Sequence, residues 1–238
     1  MTKQDKISYA QKCIATDWLC PDDSFNKSEN IIFETDKTFF EIITFGANAV
    51  IRADKNIVTW CNDCFATTPS KDILDGDNLF LIESKLREYG KKLGGEHTRF
   101  MHFEPEKVIK KPQVFTYEWF EKDELQSIYT TTTKFNNALN YEDKREVLSL
   151  AAKYKNEIIA IVAVDDNHHG LWQIGIDTVD AYRGKGLATY LVKEMALESE
   201  RRNQTVFYTT WIPNLASVRT AIKAGFLPVW TGYYAVDT

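Results

Sequence analysis

The chain lacks the marks of a nucleic-acid binder, a membrane protein or a disulfide scaffold. Its 238 residues carry no excess of positive charge: 29 lysines and arginines stand against 34 aspartates and glutamates, a net charge of −5. The acidity is spread evenly, with 16 basic and 18 acidic side chains in residues 1–112 and 13 and 16 in residues 113–238. Without a basic stripe to neutralise a phosphate backbone, nucleic acid is not an expected partner. The longest apolar run, Ile158–Val164, falls far short of the roughly 20 residues a membrane helix needs. The opening MTKQDKISYA has no apolar stretch that could act as a signal peptide. No membrane association is expected, and the chain reads as cytoplasmic.

Cysteine is absent after Cys64. In a cytoplasmic protein Cys13, Cys20, Cys61 and Cys64 read as reduced thiols. Cys61 and Cys64 have the spacing of a zinc or redox pair. They also fall on one helical face with Ile57, Val58 and Phe65, which describes a buried side. The expectation is core, with no metal. Repeats and low-complexity tracts are missing too.

What the chain does have is 44% hydrophobic residues, with six Trp, eleven Tyr and fourteen Phe, the make-up of a folded protein with a sizeable core. The length suits one large domain or two of about 100 to 150 residues. Ile7, Ala10, Ile14 and Trp18 share a helical face over 5–20. Thr38–Phe45 and Ala49–Ala53, parted by Gly46-Ala47-Asn48, read as a hairpin. Helices are expected over 55–66 and 78–93, the second stopping at Gly94-Gly95, and His97–Phe103 as a strand. Glu104–Pro112 reads as a linker, dividing the chain into an N-terminal α/β half (1–112) and a second domain (113–238).

Beyond the linker, Val114–Trp119 reads as a strand and Asp123–Thr131 as a short helix. Leu148–Tyr154, Ile158–Val164 and Leu171–Thr178 form an antiparallel meander, with turns at Asn156-Glu157 and Asp165–Gly170. A helix over 184–202, a strand Val206–Trp211, a helix Ala216–Ala224 and a last strand Val229–Val236 follow. A meander followed by strand–helix–strand crossovers predicts an α/β fold around a sheet of mixed direction.

The sharpest motif is Tyr182-Arg183-Gly184-Lys185-Gly186-Leu187-Ala188, between a strand and a long helix. Glycines there let backbone pass close to a ligand, while the unbonded first amides and the helix dipole favour phosphate. Arg183 and Lys185 add cationic donors. There is no GxxxxGK[ST], and the dinucleotide pattern fails because Thr189 stands where its third glycine belongs. One strand further on, Asn214-Leu215-Ala216-Ser217 opens another helix that closes on Lys223-Ala224-Gly225-Phe226.

Arg183-x-x-Gly186-x-Ala188, then Asn214-x-x-Ser217 and Lys223-x-Gly225-Phe226, resemble the GNAT superfamily of N-acetyltransferases, in particular its two-part bacterial type. The resemblance covers about 140–230, with a weaker extension back to about 38. It implies acetyl-coenzyme A as co-substrate and a small-molecule or peptide amine as acceptor. It also implies roles. The backbone of Ile176, Asp177 and Thr178 would meet the pantetheine arm. Arg183, Gly184, Lys185, Gly186, Leu187 and Ala188 would wrap the pyrophosphate. Asn214 and Ser217 would line the thioester end, and Lys223 would reach a phosphate.

The chain departs from the family pattern in three places. Many members carry a Tyr as leaving-group acid where this chain has Ala221, which leaves Tyr208 and Ser217 as the catalytic candidates. Members with a carboxylate base carry it near Trp172-Gln173, where neither residue serves. The family also ends in a two-strand hairpin, whereas one final strand is expected here. A binding module without turnover, and transfer of a larger acyl or aminoacyl group, are the rival readings. His168-His169 reads as part of a solvated loop. Trp172, Trp211, Trp230, Tyr233 and Tyr234 read as core packing, with an acceptor pocket as the alternative.

Overall fold

In the computed structural model, which describes residues 2–132, 134–168 and 170–238, the elements follow in this order. Helix α1 is Lys3–Trp18; strands β1, β2 and β3 are Ile31–Glu34, Phe40–Thr44 and Ala49–Ala53; helices α2 and α3 are Val58–Phe65 and Gly76–Arg87. Strands β4, β5 and β6 are Lys91–Leu93, His97–His102 and Thr116–Glu121, followed by α4 (Leu125–Thr131). Strands β7, β8 and β9 are Glu146–Tyr154, Glu157–His168 and Leu171–Thr178; then come α5 (Leu187–Arg201), β10 (Thr205–Thr210), α6 (Leu215–Lys223) and β11 (Phe226–Asp237). The expected mixed α/β class is what folds.

Two compact units emerge. One takes the chain up to Lys6 together with Arg99–Pro228; the other takes Ile7–Thr98 and Val229–Thr238. Residues 99–112 therefore cluster with the C-terminal half, and the last ten residues with the N-terminal one.

In the unit built on Ile7–Thr98, β2 and β3 form the expected antiparallel hairpin, Thr44 opposite Ala49. The Thr44 hydroxyl closes it, donating to the Asn48 carbonyl at 2.8 Å and accepting from the Gly46 amide at 2.9 Å. Strand β1, which carried no recognised pattern in the sequence, pairs in parallel with β3. Residues Thr231–Tyr234 pair antiparallel with β2. Phe40, Ile42, Ile51, Cys61, Phe65 and Ile82 fill the core, so Cys61 takes the buried place its spacing gave it. The helix expected over 78–93 is shorter. It ends at Arg87, Gly90 turns the chain at φ +67°, and Lys91–Leu93 pairs with β11 instead.

In the other unit the strands lie in the order β6-β7-β8-β9-β10, antiparallel throughout except for the parallel pair β9–β10. Strand β8 shows why its sequence is uninterrupted in apolar residues. Ala160, Val162 and Val164 pack with Leu187, Leu191 and Met195 of α5. Ile161 and Ala163, pointing the other way, pack with Leu125, Ile128 and Phe135 around α4. Burial of both faces removes the usual strand alternation. Truncating Leu191 or Met195, both fully buried, to Ala would cost about 2–5 kcal/mol. Strand β8 also runs on to His168 and pairs it with Leu171, so the long turn expected over Asp165–Gly170 is mostly strand. His169, the other half of that histidine pair, lies outside the described residues.

Candidate functional site

Strands β9 and β10 pair only from Leu171 opposite Thr205 to Ile174 opposite Tyr208. Strand β9 continues to Thr178 with β8 alone at its side, so its edge over 175–178 carries no pairing to β10 among the described residues. Backbone groups there can meet an extended ligand, as an added strand would.

The glycine turn lies at the end of that edge. The helix expected from residue 184 begins at Leu187, because Gly184 (φ +75°) and Gly186 (φ +80°) hold left-handed backbone that other residues adopt at a cost. A Cβ on either would meet nothing within 4 Å. Gly186 caps α5 with no side-chain hydrogen bond, so the first amides of a 15-residue helix remain available to an anion. The Arg183 side chain folds back, Nε donating to the Thr178 carbonyl at 3.3 Å and a terminal nitrogen lying 3.0 Å from the Asp180 carboxylate. The Thr178 hydroxyl is buried with no hydrogen-bond partner among the described residues, an unsatisfied group of the kind a ligand completes. These features fit a diphosphate-bearing ligand with an extended arm.

Strand β10 and helix α6 bring the two catalytic candidates together. The hydroxyls of Tyr208 and Ser217 lie 2.6 Å apart. The Asn214 side chain caps α6, accepting from the Ser217 amide at 3.2 Å, which fixes the turn that presents Ser217. Burial pushes the Tyr208 phenol up, partly offset by the Ser217 hydrogen bond, so it stays protonated at neutral pH. Lys223 sits exposed in the last turn of α6, and no contact of its own joins it to this group.

On the α4 side of the sheet opens a cavity of about 370 Å³, lined by residues 136–142, Arg145 and Glu146, by Ala163 and Asp165 of β8, and by Gln173 and Gly175 of β9. Its outer wall is latched to β9 by Asp177, whose carboxylate accepts from the Asn137 amide (2.7 Å), the Asn137 side chain (2.7 Å) and the Ala138 amide (3.2 Å). The side chain of Asp177 thus holds a loop, while its backbone stays on the unpaired edge. Gly175 is required beneath that loop: a Cβ there would lie 2.3 Å from the Asn137 carbonyl oxygen. Glu146 is buried, accepting from the Asn140 amide at 2.6 Å and from the Tyr129 hydroxyl. Asp165, also buried, lies 3.8 Å from the Arg145 guanidinium.

Sequence reading missed Glu146 and Asp165. The first precedes the apolar run that marked β7, and the second was read as turn. Two acids at the ends of neighbouring strand patterns, at positions that pair (Glu146 opposite Asp165), were the available signal. The aromatic candidates fall in separate surroundings. Trp172 packs against the α5 core and Trp211 is 46% exposed. Trp230 stacks on Phe45 at 5.2 Å, and with Tyr233 and Tyr234 it belongs to the other unit.

The family model described as GNAT acetyltransferase matches residues 87–231, more than half of the chain. The protein belongs to that family of acyltransferases. No curated protein matches the sequence. Among solved structures, a GNAT-family acetyltransferase from Colwellia psychrerythraea is 14% identical, with 61% of this chain and 57% of that one covered and a TM-score of 0.45. This chain therefore spans little more than half of that relative's length. A GCN5-related N-acetyltransferase from Kribbella flavida is 14% identical over 64% of this chain and 62% of that one, with a TM-score of 0.47. A Drosophila protein is 12% identical over 98% of this chain and 88% of that one, with a TM-score of 0.51, a likeness of fold alone. No helix among the described residues is long and apolar enough to cross a membrane.

Proposed function

We propose that the protein transfers an acetyl group from acetyl-coenzyme A to the amine of a small acceptor, in the cytoplasm, with residues 113–238 carrying the chemistry. The observation that carries this reading is the alignment of three features along one edge: the uncapped N-terminus of α5 behind Gly184 and Gly186, the unpaired end of β9, and the Tyr208–Ser217 hydroxyl pair beside the last paired residues. The turn Arg183–Ala188 would hold the pyrophosphate, the backbone of Ile176–Thr178 the pantetheine arm, and Asn214 and Ser217 the thioester end. Lys223 would reach a phosphate from α6.

Acetyl-coenzyme A supplies an activated thioester. The acceptor nitrogen forms a bond to the carbonyl carbon, the carbon–sulfur bond breaks, the nitrogen gives up a proton to solvent water, and the proton that Tyr208 gives to the leaving sulfur is restored to the phenol from solvent. Holding both substrates at once does much of the work. Amides at the end of β9 stabilise the charge that develops on the carbonyl oxygen, and Tyr208, still protonated, donates to the departing sulfur. Mass spectrometry of acceptors incubated with the protein and acetyl-, propionyl- or longer acyl-coenzyme A tests this reading. An acetylated amine with fastest turnover from acetyl-coenzyme A is expected. Preference for a longer chain, or tight coenzyme A binding without any product, would replace it.

A further inference from the structure

We propose that Lys193 is a positioning residue for the transfer, acting through His102 and the segment that follows it. Together they clip α6 to α5, fix where α6 presents Ser217, and hold only while His102 is neutral. This rests on the transferase reading above.

A buried lysine is costly unless its donors are well used, and Lys193 of α5 is 3% exposed. Its ammonium donates to the carbonyls of Glu104 at 2.6 Å and Pro105 at 2.9 Å, and lies 3.2 Å from His102 Nε2. The same segment is bonded on its other side to the end of α6. The Gly225 carbonyl accepts from the amides of Phe103 (3.0 Å) and Glu104 (3.2 Å), and the Lys107 ammonium donates to the Ile222 carbonyl at 2.9 Å. The fit leaves no slack, since a Cβ on Gly225 would lie 2.9 Å from the Glu104 carbonyl oxygen. Helix α6 has nine residues, a rod of roughly 13 Å. A shift at Gly225 therefore carries along it to Ser217 and the contact with Tyr208.

The histidine makes the clip sensitive to protons. Burial disfavours the Glu200 carboxylate, but hydrogen bonds from His102 and Lys6 prevail and lower its carboxyl to about 2. An ionised Glu200 can only accept, so His102 Nδ1, 2.9 Å away, carries the ring proton. That leaves Nε2 bare to accept from Lys193. A second proton on the ring would set two cations 3.2 Å apart at low effective dielectric. The charged groups around this pair are Glu200 on α5, Lys3 and Lys6 at the start of the chain, and Glu104, Glu106 and Lys107 on the segment itself. The turn after α6 contributes the Gly225 backbone and the Phe226 ring, 5.2 Å from the imidazole. Burial lowers the imidazole, with Glu200 opposing. The clip is therefore intact at the ordinary imidazole value of about 6.5 and opens as the pH falls below it.

Calorimetry of the full chain with coenzyme A, from about pH 8 to 5.5, reads the donor site without relying on turnover. Two variants divide the clip: His102→Gln can offer its carbonyl to Lys193 and does not titrate, while Lys193→Met keeps an apolar stem and removes the donors. Near pH 8, His102→Gln should stay within about threefold of the wild type, and Lys193→Met should bind roughly fivefold or more weakly. On acidification the wild type should lose more affinity than either variant; titration of the coenzyme's own phosphate is common to all three. Hydrogen exchange should show the protection lost in Lys193→Met confined to α6, with α5 and β8 retained. A lysine with a merely structural role would loosen α5 and β8 equally, and that pattern would overturn the proposal. So would Lys193→Met affinity within about twofold of the wild type, or a wild-type pH profile shared by His102→Gln. If the wild type binds no coenzyme A, the transferase reading falls, and α6 protection that ignores Lys193 is then the result that overturns the clip.

Discussion

The Tyr208 hydroxyl lies 2.6 Å from the Ser217 hydroxyl, joining the end of β10 to the first turn of α6. The tyrosine that many relatives place on α6 is Ala221 here, a fully buried residue with no room to be an acid. In the proposed reaction Tyr208 would supply the phenol from the adjacent strand instead. Replacing Tyr208 with Phe should lower kcat by about 10- to 100-fold, the low end of general acid catalysis because a thiolate is a tolerable leaving group. Ser217→Ala keeps the phenol and should cost less than about tenfold in kcat, with any further loss in the KM for acetyl-coenzyme A. Steady-state kinetics on both variants decides it. Unchanged kcat in Tyr208→Phe would remove the phenol from the reaction.

The phosphate turn makes a separate demand. Gly186 holds φ +80° as the cap of α5, so a Val there is strained and also covers the amides that face the ligand. Gly186→Val should weaken coenzyme A binding at least tenfold, about 1.4 kcal/mol, with the far-ultraviolet spectrum retained. Unaltered affinity in a folded variant would move the pyrophosphate elsewhere.

A buried polar cluster sets the acid stability of the same unit. Lys193, 3% exposed, donates to the carbonyls of Glu104 (2.6 Å) and Pro105 (2.9 Å) and lies 3.2 Å from His102 Nε2. His102 Nδ1 lies 2.9 Å from Glu200, which also meets Lys6 at 2.6 Å. Burial lowers the His102 imidazole, opposed in part by Glu200. Burial works against ionising Glu200, yet the hydrogen bonds from His102 and Lys6 outweigh it and lower its carboxyl to about 2. For both groups the unfolded chain binds protons at a higher pH than the folded one. Stability should therefore fall as the pH drops below the unfolded imidazole value of about 6.5, and fall again below the unfolded carboxyl value of about 4.3. Urea midpoints measured from pH 8 to 3 should trace this decline, and Glu200→Gln should flatten its lower limb. A stability that rises on acidification would contradict the assignment.

The sequence revealed most where one residue type serves one local purpose. Gly184 and Gly186 marked the turn, the two-sided apolar run of β8 marked a central strand, and Asn214 marked the cap of α6. It was silent where a short segment depends on a distant partner. Strand β1 exists because β3 pairs with it, and Lys91–Leu93 is a strand because β11 lies alongside, so neither has a period of its own to read. The cavity is likewise assembled from a loop and residues of three strands, β7, β8 and β9, and its two buried acids carry no pattern of their own until Glu146 and Asp165 are set opposite each other.

If the acceptor of the proposed reaction occupies the cavity, the loop that walls it should be separable from the acyl-donor site by a change at Asp177. Its carboxylate accepts three hydrogen bonds from Asn137 and Ala138, while only its backbone lies on the edge assigned to pantetheine. In Asp177→Asn one oxygen becomes an amide NH2 group that faces those same donors, so at least one bond is lost and a repulsive contact replaces it. Hydrogen bonds to a charged acceptor contribute about 1.5–3 kcal/mol, enough to release the loop for part of the time. The acceptor KM should rise several-fold, amide exchange at Asn137 and Ala138 should accelerate, and acetyl-coenzyme A affinity should stay within about twofold. Gly175→Ala offers a second route to the same state by a different cause, because its Cβ would press on the Asn137 carbonyl from 2.3 Å and push the loop outward. Agreement between the two variants in acceptor KM ties the effect to the loop. A fall in acetyl-coenzyme A affinity larger than the change in acceptor KM would show that the Asp177 side chain belongs to the donor site instead.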